Sequence, residues 1–167
     1  MAIPLGAFIS FSAYLEGSRL PSEQPAVWHG ADIWRAAARQ PADARGAVAF
    51  TRGAAGNATE IVPGISLTAQ RVEAGMRAGL HRHSFWHLYH VAGGSGHVIL
   101  GDESNRVQVT AGDWLFVPAW HPHAVDNRAG TAPLDLFALQ NLPHCAALGN
   151  LARADERQSI ELTYADA

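Results

Sequence analysis

The stretch Gly75–Asn127 limits the fold of this chain more than any other. It holds His81, His83 and His87, then Gly93, Gly94 and Gly96, and, beyond two apolar segments, His123. Imidazole is the commonest metal ligand near neutral pH, because its neutral form is abundant there. Read as one extended segment, Leu80–Val91 alternates faces with period two. The odd-numbered His81, His83 and His87 then point the same way, with Phe85, Tyr89 and Val91 beside them. Three imidazoles among apolar neighbours on one strand face belong inside a barrel or sandwich, where with His123 they could bind one divalent ion. His29, His90, His97 and His144 share no such pattern and read as structural or solvated.

The flanking chain reads as β. Ile65, Leu67 and Ala69 alternate with Ser66, Thr68 and Gln70, the pattern of a half-buried strand. His97–Leu100 and Arg106–Val109 flank a short polar loop as a hairpin. Trp114–Val117, closed by Pro118, and Leu134–Leu139 are further strands. Shorter ones are expected at Val48–Thr51 and from Val125, and Arg52–Thr59 reads as a loop. Upstream, Ile3–Tyr14 is an apolar arm and Gly17–Pro25 a linker. Asp32 is the expected N-cap of a short helix that carries Ile33, Trp34, Ala37 and Ala38, stops at Pro41 and lies on the outside of a sheet. A second helix is expected from Pro143 up to Gly149, and the tail from Asp155 is polar. The division that follows is an arm and helix over 1–45, one β domain over 46–155 and a tail over 156–167.

Composition narrows the function. The chain has 167 residues, enough for a real core, and a net charge of −3 with no basic run, so nucleic acid is not expected as a partner. Lysine is absent, which removes Schiff-base chemistry and a P-loop lysine. Cys145 is the one cysteine, so no internal disulfide framework is expected. The apolar arm has no basic residue ahead of it, unlike a secretory signal, and no run reaches the length of a membrane span. A cytoplasmic location with no membrane partner is expected.

Two motifs carry a resemblance to a known family. Gly75, five residues, His81, one residue, His83, three residues, His87 and later Gly93 resembles the first motif of the cupin superfamily. Gly112, five residues, Pro118, then His123 and Asn127 resembles the second. The segments ISLTAQRVEAGMRAGLHRHS, LYHVAGGSGHV, GDWLFVPAWHPH and ALGNLARAD are similar to the C-terminal half of gentisate and hydroxynaphthoate dioxygenases. The resemblance implies an all-β cupin jelly-roll barrel or sandwich, here with one short N-terminal helix and a C-terminal helix. It implies a metal set of His81, His83, His87 and His123 on one ion, with the alternative that His87 points inward unbound, since gentisate-type sites use three histidines. The ion is Fe(II) or Zn first, with Mn, Ni or Cu also suited to imidazole sites.

The departures from the family pattern are informative. The cupin pattern has Glu where His87 stands and Gly where Trp120 stands. A neutral fourth donor leaves the full charge on a dication, which favours an anionic oxygen ligand. Val125 stands where gentisate-type enzymes tend to have a second histidine, and Pro122 where they tend to have Trp. Tyr89 and His121 remain to move protons, and Phe85, Tyr89 and Trp120 to bind a planar substrate. Arg71, Arg77 and Arg82 are weaker candidates for a substrate carboxylate, Arg82 facing away by parity. The function read from these residues is dioxygenase-like oxidation of a hydroxylated aromatic or polyphenolic small molecule. A zinc Lewis-acid cyclase or isomerase, similar to cupin-type aromatic polyketide cyclases, is the close alternative, and a non-catalytic binding cupin the third. A homodimer is expected.

Overall fold

In a computed structural model of the chain, residues 6–19, 24–40, 46–52, 60–155 and 158–162 are described, the last segment as backbone alone. The expectations for residues 1–5, 20–23, 41–45 (the helix stop at Pro41 among them), 53–59, 156–157 and 163–167 lie outside them. The described elements run α1 (Phe11–Gly17), α2 (Gly30–Ala37), β1 (Ala47–Ala49), β2 (Ser66–Val72), β3 (Arg77–His83), β4 (His87–Gly93) and β5 (Ser95–Leu100). They continue with β6 (Arg106–Thr110), β7 (Trp114–Val117), β8 (His123–Asp126), β9 (Leu134–Gln140), α3 (Leu142–Ala147), β10 (Ala152–Asp155) and β11 (Gln158–Leu162).

The strands form two antiparallel sheets, one of five strands in the order β1-β2-β9-β4-β7 and one of six in the order β11-β10-β3-β8-β5-β6. Their inner faces meet in one apolar layer. Val91, Val117, Leu134, Leu136 and Ala138 come from the five-stranded sheet and Val98, Val109 and Val125 from the other. β-Branched and leucine side chains fill such a layer at pleat spacing, each fully buried one contributing about 1.5–3 kcal/mol. Gly94 turns the chain from β4 to β5 and so from one sheet to the other. Its φ is +76°, and a Cβ there would meet the carbonyl oxygen of Pro133 at 2.1 Å. Only glycine meets both demands.

The expected single strand Leu80–Val91 is two strands in two sheets. β3 ends at His83, Ser84–Trp86 turn the corner, and β4 begins at His87 on the opposite layer. Parity holds within each half only. Moreover, β3 carries a bulge. Ala78 pairs with Val125 but His81 with His123, one residue more on β3 than on β8. The extra residue flips the pleat, so that even-numbered Ala78 and odd-numbered His81 and His83 all face inward.

The strand at Ile65–Gln70 also reverses its expected faces. Gln70 pairs with Leu136 and Val72 with Leu134, so the inner face of β2 is Ser66, Thr68, Gln70 and Val72. Leu67 and Ala69 face outward, on the side where α2 packs against β2. Trp34 of α2 packs on Phe137 with ring centroids 5.1 Å apart, and Arg71 lies over the Trp34 ring. This helix lies on the outside of a sheet as expected, but it starts at Gly30 with His29 at the N-cap, and Asp32 sits in its first turn. Among the described residues two helices precede β1 rather than one, since part of the apolar arm forms α1. The region read as a polar tail contributes β11, which pairs with β10.

Candidate metal centre

Four imidazoles converge between the sheets. His81 and His83 come from β3, His123 opens β8 directly opposite His81, and His87 opens β4 on the facing sheet. Their ring centroids lie 4.3 Å apart for His81–His123, 5.0 Å for His83–His123, 4.6 Å for His83–His87 and 5.4 Å for His87–His123. His83, His87 and His123 are buried and His81 is half-buried. One donor atom from each of His81, His83 and His123 lies within 4.8 Å of the others. His87 joins this group through His83, Nε2 to Nε2 at 2.8 Å.

The backbone orients three of these rings in the same manner. His81 Nδ1 lies 2.9 Å from the carbonyl oxygen of Gly79, His83 Nδ1 2.6 Å from that of Phe85, and His123 Nδ1 2.9 Å from that of His121. A carbonyl only accepts, so each Nδ1 carries the proton and each Nε2 holds the lone pair. Fixing one ring nitrogen by a second hydrogen bond is how metal-ligating histidines are held. Bonds near ~2.1 Å to a tetrahedral zinc put neighbouring donors about 3.4 Å apart, so the hydrogen-bonded His83–His87 pair stands close to ligand spacing but would have to part slightly to admit an ion. The donor set therefore fits a divalent ion of imidazole preference.

The aromatic candidates divide. Phe85 lies flat on His83, ring centroids 3.7 Å apart at 4°, and Tyr89 is buried with its ring 4.8 Å from His87 and 6.3 Å from His123. Trp120 reaches the cluster through its backbone: its N–H donates to the carbonyl of His83 at 2.7 Å. Its φ is +62°, a value that favours glycine, and its side chain is 40% exposed. His121 likewise meets the cluster through its carbonyl on His123. Trp114 and Phe116 stand on the outer face of the five-stranded sheet, 61% and 57% exposed.

Arg71 and Arg77 are committed elsewhere and Arg82 faces solvent. Arg71 makes two 2.7 Å hydrogen bonds to Asp135 on the outer face, which raises its pKa. Arg77 pairs with Glu103, and Arg82 is exposed. A residue group that sequence reasoning missed is Ser66, Gln70 and Gln140, buried and polar on the inner face of β2 and β9. Gln140 stands directly opposite His87 across the β4–β9 ladder. The signal for them was α2 itself: an amphipathic helix must cover the apolar side of a strand, which turns the polar side inward.

The cupin domain family model matches residues 69–139, which include all four histidines, and the two-sheet sandwich is the cupin fold expected from the sequence. A search of curated protein sequences finds no match. Among solved structures, salicylate 1,2-dioxygenase from Pseudoaminobacter salicylatoxidans with gentisate adducts is similar at a TM-score of 0.60 and 21% identity, over 68% of this chain and 29% of that one. Another structure of that enzyme gives 0.60 and 20%, over 67% and 30%. The polyketide cyclase RemF from Streptomyces resistomycificus gives 0.42 and 24%, over 46% and 53%. The chain thus spans less than a third of the dioxygenase, and the likeness is one of fold.

Proposed function

We propose that the chain is a metal-dependent enzyme acting on a hydroxylated aromatic or polyphenolic small molecule by dioxygenase-like oxidation. His81, His83, His87 and His123 would hold one divalent ion. The observation that carries this reading is the shared contact of His81, His83 and His123, each Nδ1 against a backbone carbonyl, which leaves each Nε2 to serve as the metal donor. When bound, a ferrous ion supplies oxygen activation and a zinc ion supplies Lewis acidity. The chain's own residues prepare the surroundings. Phe85 and Tyr89 exclude water beside the imidazoles and offer flat apolar surface to a planar ring, with the Trp120 indole at the rim. The Tyr89 hydroxyl is the candidate to give or take a proton beside the substrate, and His121 the second. The exposed Trp114 and Phe116 on one sheet and Phe8, Ile9 and Phe11 in the arm support a homodimer.

One observation favours a second reading. His87 stands where the cupin pattern has Glu, and a neutral donor leaves more positive charge to polarise an enolate or phenolate oxygen. That suits a zinc-dependent cyclase or isomerase. The experiment that separates the two is metal analysis of untagged protein purified without oxygen, followed by oxygen uptake with gentisate, catechols and hydroxynaphthoates. Iron near one per chain with uptake on a phenol supports the oxidative reading; zinc near one per chain without uptake supports the Lewis-acid one. Absence of bound metal would remove both.

A further inference from the structure

The corner Ser84–Trp86 carries His83 at one end and His87 at the other, so whatever fixes this corner sets the spacing of two of the four imidazoles. Two side chains of one short segment grip it. Asn141, the N-cap of α3, accepts the Trp86 N–H on its Oδ1 at 3.0 Å. Its Nδ2 donates to Cys145 Sγ at 3.8 Å, and the buried Cys145 thiol donates to the carbonyl of Ser84 at 3.6 Å. The corner is thus held at the residues before and after Phe85. β10 adds a third hold, since the Ala152 N–H donates to Ser84 Oγ and the Ser84 N–H to the Ala152 carbonyl, both at 2.9 Å. Between these holds, the Phe85 carbonyl is aimed at His83 Nδ1 and the Phe85 ring is laid flat on the His83 imidazole.

We propose that Asn141 and Cys145 are positioning residues for the metal site: their paired grip on Trp86 and Ser84 orients the Phe85 carbonyl, and through it the tautomer and direction of His83. The proposal rests on the metal reading above. Their hydrogen bonds go to the corner backbone and to each other, so the role is indirect. Partners that orient metal-ligating histidines change metal affinity about 10–100-fold when removed, and Asn141 and Cys145 act on such a partner, the Phe85 carbonyl.

The test compares wild type with Asn141→Ala, Asn141→Asp and Cys145→Ala. Zinc is titrated in competition with a chromophoric chelator, and the thermal stability of each metal-free variant is recorded. Asn141→Ala should weaken zinc binding by about tenfold or more. Asn141→Asp, which keeps the acceptor for Trp86, should recover most of it, and Cys145→Ala should fall between. A folded Asn141→Ala that binds zinc as wild type does overturns the proposal, as does equal loss in the Asp variant. The second readout needs no metal: ¹⁵N–¹H correlation spectra of the histidine rings in metal-free protein. His83 should be the Nδ1–H tautomer in wild type and a mixture in Asn141→Ala, and an unchanged His83 ring in that variant sinks the idea. Should wild type itself take up no zinc, the metal reading fails while the ring spectra still decide the role of the clamp. Should Asn141→Ala fail to fold, the same two readouts on Cys145→Ala decide it, with unchanged affinity and tautomer counting against.

Discussion

The Nε2 atoms of His83 and His87 face each other at 2.8 Å although the two residues stand on opposite sheets. His83 already commits its Nδ1 proton to Phe85. With His83 Nε2 as the acceptor, the proton of this contact belongs to His87 Nε2, and a divalent ion would take that proton's place. His83→Ala should therefore lower metal affinity by more than about 100-fold, beyond the range seen for supporting residues, and His87→Ala by less. Metal content after dialysis checks both, and full occupancy in His83→Ala would refute the ligand assignment.

Trp120 holds a φ of +62° while its N–H is tied to His83. A bulky residue in that region carries about 1–3 kcal/mol of strain. Trp120→Gly should raise the melting temperature of the metal-free protein and weaken binding of an aromatic ligand, because the strain and the indole leave together. Calorimetry and ligand titration report the two effects separately. An unchanged ligand affinity would remove Trp120 from the substrate surface.

Asp126 is buried and receives Arg128 Nε and Nη2 at 3.0 and 2.7 Å, with Arg106 at 3.0 Å. The Arg128 hydrogen bonds hold its pKa well below the usual carboxylate range. The folded value lies under the unfolded one of about 3.9, so the stabilisation is full above about pH 4 and is lost as pH falls through the folded value. Asp126→Asn should cost about 1–3 kcal/mol at pH 7, discounted because Arg128 is half exposed. The gap to wild type should hold from pH 7 to 5 and narrow below about pH 4. Denaturant titrations across that range test it.

Leu136 is fully buried where the two sheets meet. Leu136→Ala should cost about 2.7–5 kcal/mol, the spread reflecting how far the layer can collapse. Chemical denaturation of the metal-free protein gives the value directly, and a loss below about 1 kcal/mol would contradict its place in the core.

Much of the fold was legible because glycine, proline and apolar alternation mark strands locally. The hairpin β5–β6 and strands β7 and β9 fall where the pattern put them. The four histidines converge as read, yet for a partly different reason. Parity treated residues 80–91 as one strand, whereas a bulge after Ala78 and a corner at Ser84–Trp86 set the faces. Neither has a signature in hydrophobic period, since each inserts residues that a two-residue repeat cannot register. The faces of β2 were missed for a similar cause. Alternation says that one side is apolar but not which layer covers it, and α2 claims the apolar side of β2. Asn141 and Cys145 were invisible as a pair because their meaning lies in Trp86 and Ser84, more than fifty residues away.

The split of the four donors between two sheets has a mechanical corollary. His81, His83 and His123 ride on one layer and His87 on the other. An ion gripped by all four would act as a rivet through the sandwich. Any slow parting of the layers would have to stretch the grip on it, so that release of the ion and opening of the interior share one reaction coordinate. Amide exchange at the centres of β4 and β8 would then slow together on loading, while the far edge at β6 kept its own pace.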